Sequence, residues 1–290
     1  MRAVMTLAVA LIASLLPWLA QASCNTHGLR LAVVPERSMA VLSREYRPLL
    51  DHLSDALQMP VDMLPMTSYE SVIDAIVSGG VDVAALGPAS YILAYRRNPH
   101  IEPFASLAIR EGLFTPGGHH YLSLLLVRGE GVRELTALHG SSLALSDPAS
   151  TSGSLIPNRE FPAQVGMPLA KFFGAISYSG SHDKSLDALL EGRVDAAFVA
   201  SVRADTYLND GRIHPGSLRV LWRSQPIYYD PYVFSSKLCP ELKARIRHAM
   251  LERQGPLQGF FTSQQATGFA PVGHEQYRAL LELVPKQDRQ

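Results

Sequence analysis

Hydroxyls crowd around a glycine in Ser146-Asp147-Pro148-Ala149-Ser150-Thr151-Ser152-Gly153-Ser154, between the apolar runs Leu143-Ala144-Leu145 and Leu155-Ile156. At a strand-to-helix junction, such a loop gathers hydroxyls, free backbone N–H groups and the positive end of a helix dipole on one point. That makes it a natural seat for an anion. An ordinary N-cap is the competing reading, since Ser and Thr are favoured there whatever the function. Other loops share the composition: Thr67-Ser68-Tyr69, Ser90-Tyr91 and Ser179-Gly180-Ser181-His182, and only Arg37 puts a cation at a loop tip. An oxyanion can be held without a cationic clamp when hydroxyls and N–H groups replace its hydration shell.

Individual side chains add to this chemistry. His182, at a helix start, can donate from one ring nitrogen, and Tyr69 and Tyr91 can close a cleft and donate O–H bonds. Their bland counterparts are a satisfied helix-start histidine and half-buried aromatic packing. Asp183 can cap its helix or accept a ligand proton. Asp230, in Ile227-Tyr228-Tyr229-Asp230-Pro231, needs a partner or a protonated ligand if buried, and otherwise reads as an Asx-turn residue before proline. His119-His120 has no Cys, Asp or Glu at ligand spacing, so neither a metal nor another cofactor is expected. A Ser-His-Asp hydrolase is the enzyme reading to beat. It lacks a G-x-S-x-G elbow, and adjacent His182 and Asp183 cannot readily form a base–orienter pair, so no catalysis is expected.

These loops need a scaffold. Hydrophobic periodicity predicts strands at Leu29–Val34, Val61–Met66 and Val81–Leu86, alternating with helices at Ser43–Leu57 and Tyr69–Ser78. The pattern restarts with strands at Tyr121–Arg128, Ser142–Leu145, Ala175–Tyr178 and Val194–Val199, and a helix at His182–Glu191. Strands at Leu218–Trp222 and Tyr232–Ser235 and helices at Pro240–Arg253 and Gly273–Val284 complete it. An echo links the halves: Ser78-Gly79-Gly80-Val81-Asp82-Val83 parallels Glu191-Gly192-Arg193-Val194-Asp195-Ala196, each third in its own β-α-β-α-β unit. The expectation is an α/β protein of two lobes, each a mostly parallel sheet flanked by helices, with ligand loops at the strands' carboxyl ends. Lobe 1 is expected over residues 27–117 and 236–290, and lobe 2 over 118–235.

The 290 residues are 47% hydrophobic with zero formal net charge, which offers no basic face for nucleic acid. Residues 1–22 read as a cleaved signal peptide: Arg2, an apolar run from Val4 to Leu16, then Ala20-Gln21-Ala22. A lipoprotein acylated at Cys24 is the lesser alternative, because Gln21 stands where such signals carry an aliphatic residue. Cys24 and Cys239 form an even pair, expected to be one disulfide in an oxidising compartment. The mature protein is expected to be exported and soluble.

Met66 to Tyr69, Val81-Asp82 through Gly87-Pro88-Ala89-Ser90-Tyr91, Asp147 to Gly153, Gly180-Ser181-His182-Asp183 and Val220 to Pro226 resemble the phosphate/phosphite/phosphonate-binding periplasmic proteins of ABC transporters. The resemblance runs in order from about Leu29 to Leu283. It implies a type II periplasmic-binding-protein fold with a hinge. Ser150, Thr151 and Ser152 would bind a phosphorus oxyanion, His182 would support it, and Tyr69 and Tyr91 would close over it. Tyr121 joins them as a ligand contact, and Asp230 matches a carboxylate of the family's cleft. Aminoalkylphosphonate-binding members carry another acid where this chain reads Ala200-Ser201-Val202. That points to phosphite, phosphate or a simple phosphonate. The resemblance implies a periplasmic monomer whose partner is an inner-membrane ABC permease or, as in sensory relatives, a sensor kinase.

Overall fold

The computed structural model describes residues 27–282 and residue 284. The signal-peptide and Cys24 readings lie outside the described residues. Cys239 is disulfide-bonded and stands at the N-cap of a late helix. Among the described residues no helix is long and apolar enough to cross a membrane.

The first elements are β1 (Leu29–Val33), α1 (Met39–Leu57), β2 (Val61–Met63), α2 (Tyr69–Ser78), β3 (Val83–Ala85), α3 (Pro88–Arg97) and β4 (Glu102–Ile109). Then come β5 (His120–Tyr121), β6 (Ser123–Arg128), β7 (Ser142–Leu145), α4 (Ile156–Val165), α5 (Leu169–Phe172) and β8 (Ala175–Tyr178). After α6 (His182–Leu190), β9 (Ala196–Ala200) and α7 (Ser201–Asn209) the chain forms β10 (Leu218–Arg223), β11 (Ile227–Tyr228) and β12 (Pro231–Phe234). It ends with α8 (Pro240–Arg247), α9 (Gln258–Ser263), β13 (Ala266–Pro271) and a 3-10 segment at His274–Leu281.

Two large sheets result, ordered β13-β4-β12-β3-β1-β2 and β10-β6-β9-β7-β8, with β11 and β5 forming a two-stranded third. The α/β two-sheet architecture is the expected one, but each sheet is mixed where mostly parallel order was expected. Only the β-α-β stretches run parallel, β2-β1-β3 and β8-β7-β9, because their helical crossovers force that direction. The flanking strands β12, β4, β13, β6 and β10 add antiparallel. β12 corrects one boundary. It falls within 118–235, the stretch expected in the second lobe, yet it pairs with β3 and β4 of the first sheet. The chain therefore returns just before Pro231. The two connections between sheets, β5 outward and β11 back, pair with each other through Ile227↔Tyr121 and Tyr228↔His120.

Strand alternation builds the second half's core. Leu124 and Leu126 enter one buried cluster, under α6 and α7, while Leu125 and Val127 enter the other, against Phe161 and Phe172. A strand covered on both faces has to be apolar throughout, as β6 is. The Val-Asp echo has a shared structural cause. Asp82 accepts from the Arg30 backbone N–H at 2.8 Å, and Asp195 accepts from the Ser142 backbone N–H at 2.9 Å. In each half the aspartate thus pins the first parallel strand at its start. Gly79 (φ 76°) and Gly192 (φ 74°) make the turn before it.

Candidate functional site

The loop after β7 is shaped from within. Asp147 Oδ1 accepts from Ala149 N–H at 2.8 Å, an Asx turn that aims the chain at Ser150. Ser150 then caps a π turn, Thr151–Leu155, its Oγ accepting from Gly153 N–H at 3.2 Å. Single π turns opening a helix recur at functional sites. Gly153 is required by contact: a Cβ there would lie 1.8 Å from Ser146 Oγ and 2.9 Å from His182 Cε1. The Ser150, Thr151 and Ser152 side chains are buried.

Ser181 caps α6, accepting from Lys184 N–H at 3.2 Å, and this sets His182 beneath the loop. Ala200 N–H donates to His182 Nδ1 at 3.2 Å, so the ring proton sits on Nε2, 3.3 Å from Ser150 Oγ. Burial, reinforced by the Arg203 charge, lowers the His182 pKa to about 3. The ring is neutral and donates to Ser150. With Gly153 N–H and His182 Nε2–H both directed at its oxygen, Ser150 has its own hydroxyl proton left to give. No carboxylate orients His182, because Asp183 pairs with Arg203 Nη2 at 2.7 Å. The Ser150, His182 and Asp183 side chains therefore do not form a hydrolase relay.

The first half meets this loop directly. Ala89 N–H donates to Thr151 Oγ1 at 2.9 Å, and Ser90 Oγ donates to Ala149 O at 2.7 Å. Tyr69 is buried and its Oη has no hydrogen-bond partner. Burial, then the charges of Glu36, Asp230 and Asp147, hold its pKa well above the ordinary phenol value, so it remains a donor. Tyr121, on the crossover ribbon, is raised by burial and by Asp230 and faces the Ser152 and Thr151 hydroxyls. Tyr69 and Tyr121 are thus gathered with Ser150, Thr151, Ser152 and His182, and the Asp230 charge acts on both tyrosines.

Tyr91 is the exception. Its Oη bonds His274 Nδ1 at 2.8 Å, and its ring packs on Tyr277 and Tyr95. Successive helix residues turn by about 100°, so with Ala89 and Ser90 facing the loop, Tyr91 is carried to the opposite flank of α3. Asp183, read as a cap or proton acceptor, serves the ion pair instead. His119 and His120 pack around Tyr228, and no group of three metal-ligating side chains occurs among the described residues.

Sequence reasoning missed Glu36 and Arg203. The loop after β1 shows one loop-tip cation in the sequence, Arg37, and that side chain turns to Glu45 and Gln264. Arg203 lies in α7, which periodicity does not reveal. It is 3% exposed and forks onto Asp183 through Nε (3.0 Å) and Nη2 (2.7 Å).

Two α/β units joined by a paired crossover and facing each other over a hydroxyl-lined loop define a two-part solute-binding protein. A sequence profile described as "ABC transporter, phosphonate, periplasmic substrate-binding protein" matches residues 31–277, and the chain belongs to that family. It is 27% identical over 267 residues to the phosphate-import protein PhnD of Mycolicibacterium smegmatis, covering 85% of this chain and 82% of that one. It is 22% identical to the probable ABC transporter phosphite binding protein PhnD1 of Prochlorococcus marinus, covering 91% of each. Among solved structures, a binding protein component of an ABC phosphonate transporter from Pseudomonas aeruginosa superposes with a TM-score of 0.78 at 21% identity, over 88% of this chain and 85% of that one. PhnD1 of Prochlorococcus marinus in complex with methylphosphonate gives 0.75 at 18% identity, over 89% and 97%.

Proposed function

We propose that the chain is an exported receptor that closes over one small phosphorus oxyanion (phosphite, phosphate or a simple phosphonate) and presents it to an ABC permease in the inner membrane. The observation that carries this reading is the donor set on one buried loop. Ser150 is left with a proton to give, the Tyr69 hydroxyl is unpartnered beside it, and the positive end of a helix lies behind. The chemistry of this seat is capture: it supplies donors, and His182 takes its Nδ1 bond from Ala200 N–H and not from a carboxylate. The β5–β11 ribbon is the hinge on this reading, and Tyr121 and Asp230 stand on or beside it, where closure brings them against the ligand. Names of similar proteins mention phosphate, phosphite and methylphosphonate, which supports the ligand class without choosing a member.

Titration calorimetry against phosphite, phosphate, methylphosphonate and an aminoalkylphosphonate tests the reading. Thr151→Val removes a hydroxyl that both accepts from Ala89 and can donate inward. It is expected to weaken binding by about 10-fold or more with an unchanged far-UV spectrum. Undiminished affinity would count against the seat.

A further inference from the structure

A helix start leaves backbone N–H groups without partners, and a side chain at the N-cap usually accepts from one of them. The helices α1, α2 and α6 follow this rule with Ser38, Ser68 and Ser181. The helix α3 does not. Its N-cap is Gly87, which has no side chain to offer, and Pro88 follows at its first position. Proline brings no N–H, so Ala89 is the first residue of α3 with an amide hydrogen to place. That hydrogen crosses to the other half, to Thr151 Oγ1 at 2.9 Å. One residue on, the fully buried Ser90 donates from Oγ to Ala149 O at 2.7 Å.

We propose that Thr151 is the N-cap of α3, supplied from the opposite half, and that Ser90 is a positioning residue that holds α3 in place for it. Closure of the halves thereby completes a helix and, through the same bond, sets Thr151 for the oxyanion. The inference rests on the oxyanion-receptor reading above and adds how closure is coupled to binding.

The contacts act as one unit. Ala89 N–H occupies a lone pair of Thr151 Oγ1, which leaves the hydroxyl proton to be given. The positive end of α3 then stands behind Thr151, so a second helix dipole favours an anion at the seat. Ala149 is gripped from both sides: its N–H donates to Asp147 Oδ1 at 2.8 Å within the loop, and its C=O accepts from Ser90. The approach of the two halves is close. A Cβ at Gly87 would lie 3.1 Å from Thr151 Oγ1 and 3.6 Å from Ser90 Oγ. Gly87 has φ −62° and ψ 151°, which any residue adopts, so glycine serves the approach there and not the turn. Both bonds join different halves, so they exist only while the halves are together. Opening leaves the Ala89 N–H and the Ser90 hydroxyl to water.

Titration calorimetry of the full chain with phosphite, phosphate and methylphosphonate tests this, using the anion that the wild type binds most tightly. Ser90→Ala is expected to weaken that anion about 10-fold. In a Thr151→Val background the same change should cost about 3-fold or less, because the group that Ser90 positions is gone. Gly87→Ala wedges the contact without a change of backbone conformation, and should also cost more in the wild type than in Thr151→Val. Amide hydrogen exchange reads the cap itself: saturating anion should slow exchange at Ala89 of the wild type by about 10-fold or more. Unchanged affinity in Ser90→Ala, or losses from Ser90→Ala and Thr151→Val that simply multiply, overturns the proposal and leaves the receptor reading intact. Should Ser90→Ala fail to fold, Gly87→Ala is judged by the same comparison. An Ala89 amide that exchanges equally with and without anion overturns the proposal in the wild type alone. A wild type that binds none of the three anions sinks the receptor reading itself.

Discussion

At the scale of single residues, the site is decided by positions whose neighbours leave them one choice. Gly153 is the clearest. Ser146 is fully buried, so its hydroxyl cannot swing away from a Cβ placed 1.8 Å off. Gly153→Ala is expected to cost about 2 kcal/mol or more in urea unfolding and to lose oxyanion affinity with it. Ser146→Gly in the same chain should return part of both. Failure of that rescue would mean the crowding lies elsewhere. The sequence displayed this glycine and the hydroxyls around it, because anion seats are local and their residue types are few. It did not display which tyrosine would face the loop. Tyr69 and Tyr91 look alike in one dimension, and only the rotation of α3 about its axis sends Tyr91 to His274. Glu36 was hidden for a related reason. Asp230, whose pKa its charge raises, lies 194 positions away along the numbering of the chain, and no spacing rule connects them.

At the scale of elements, the Val-Asp echo shows what short sequence similarity can mean. Asp82 and Asp195 each close the gap between a helix end and the first strand of a parallel unit. Asp195 binds Ser142 through both its N–H (2.9 Å) and its hydroxyl (2.6 Å), and these bonds hold its pKa below the ordinary range. Asp82 adds a bond to Arg30 Nη2 at 3.0 Å and is the more buried of the two. Alanine at Asp195 is expected to cost about 1 kcal/mol, given its exposure, and at Asp82 about 2 kcal/mol. Equilibrium urea unfolding of both variants measures this, and a smaller loss at Asp82 than at Asp195 would contradict the account. Elements with a clean period were legible, and those without one were not. The helix α7 is buried on nearly every side, so it has no polar stripe to mark it. The strand β4 carries Pro103, which argues against a central strand. The sheet accepts it where the register with β12 shifts, between Tyr232 and Val233.

At the scale of the whole molecule, the halves are tied near the seat by Ser90 to Ala149, Ala89 to Thr151 and Asp183 N–H to Glu36 O at 3.5 Å, and at α7 by Phe114 N–H to Asp205 Oδ1 and Thr115 Oγ1 to Ser201 Oγ, each at 3.0 Å. Titratable groups withdrawn from solvent where the halves meet make stability depend on pH, in two directions. Glu36 and Asp230 have raised pKa values, so they favour the folded chain at low pH, and that contribution fades as pH rises through the raised values. His182 works the other way. Unfolded, it takes a proton near pH 6.5, and folded, only near pH 3. The unfolded chain thus binds more protons between those values, and stability must fall as pH drops through that window. From pH 7.5 to pH 5 the loss from His182 is about 2 kcal/mol, at 1.36 kcal/mol per unit below 6.5. Asp195 acts in the same direction, but its window lies below the ordinary aspartate pKa of about 4, outside this range. His120 and His274 are also lowered by burial, yet they are less enclosed and contribute less. Glu36 and Asp230 act alike in both chains, so urea unfolding of the ligand-free wild type and of His182→Gln, which cannot titrate, at pH 7.5, 6 and 5 should differ in slope by about the His182 loss, the wild type losing more stability, or gaining less, as pH falls. The readout is the slope with pH and not the absolute stability of the variant, so a general loss of packing at position 182 does not imitate the result. Parallel slopes in wild type and variant would show that His182 is not the group that titrates on unfolding. They would also remove the neutral ring on which the donor role of Ser150 depends.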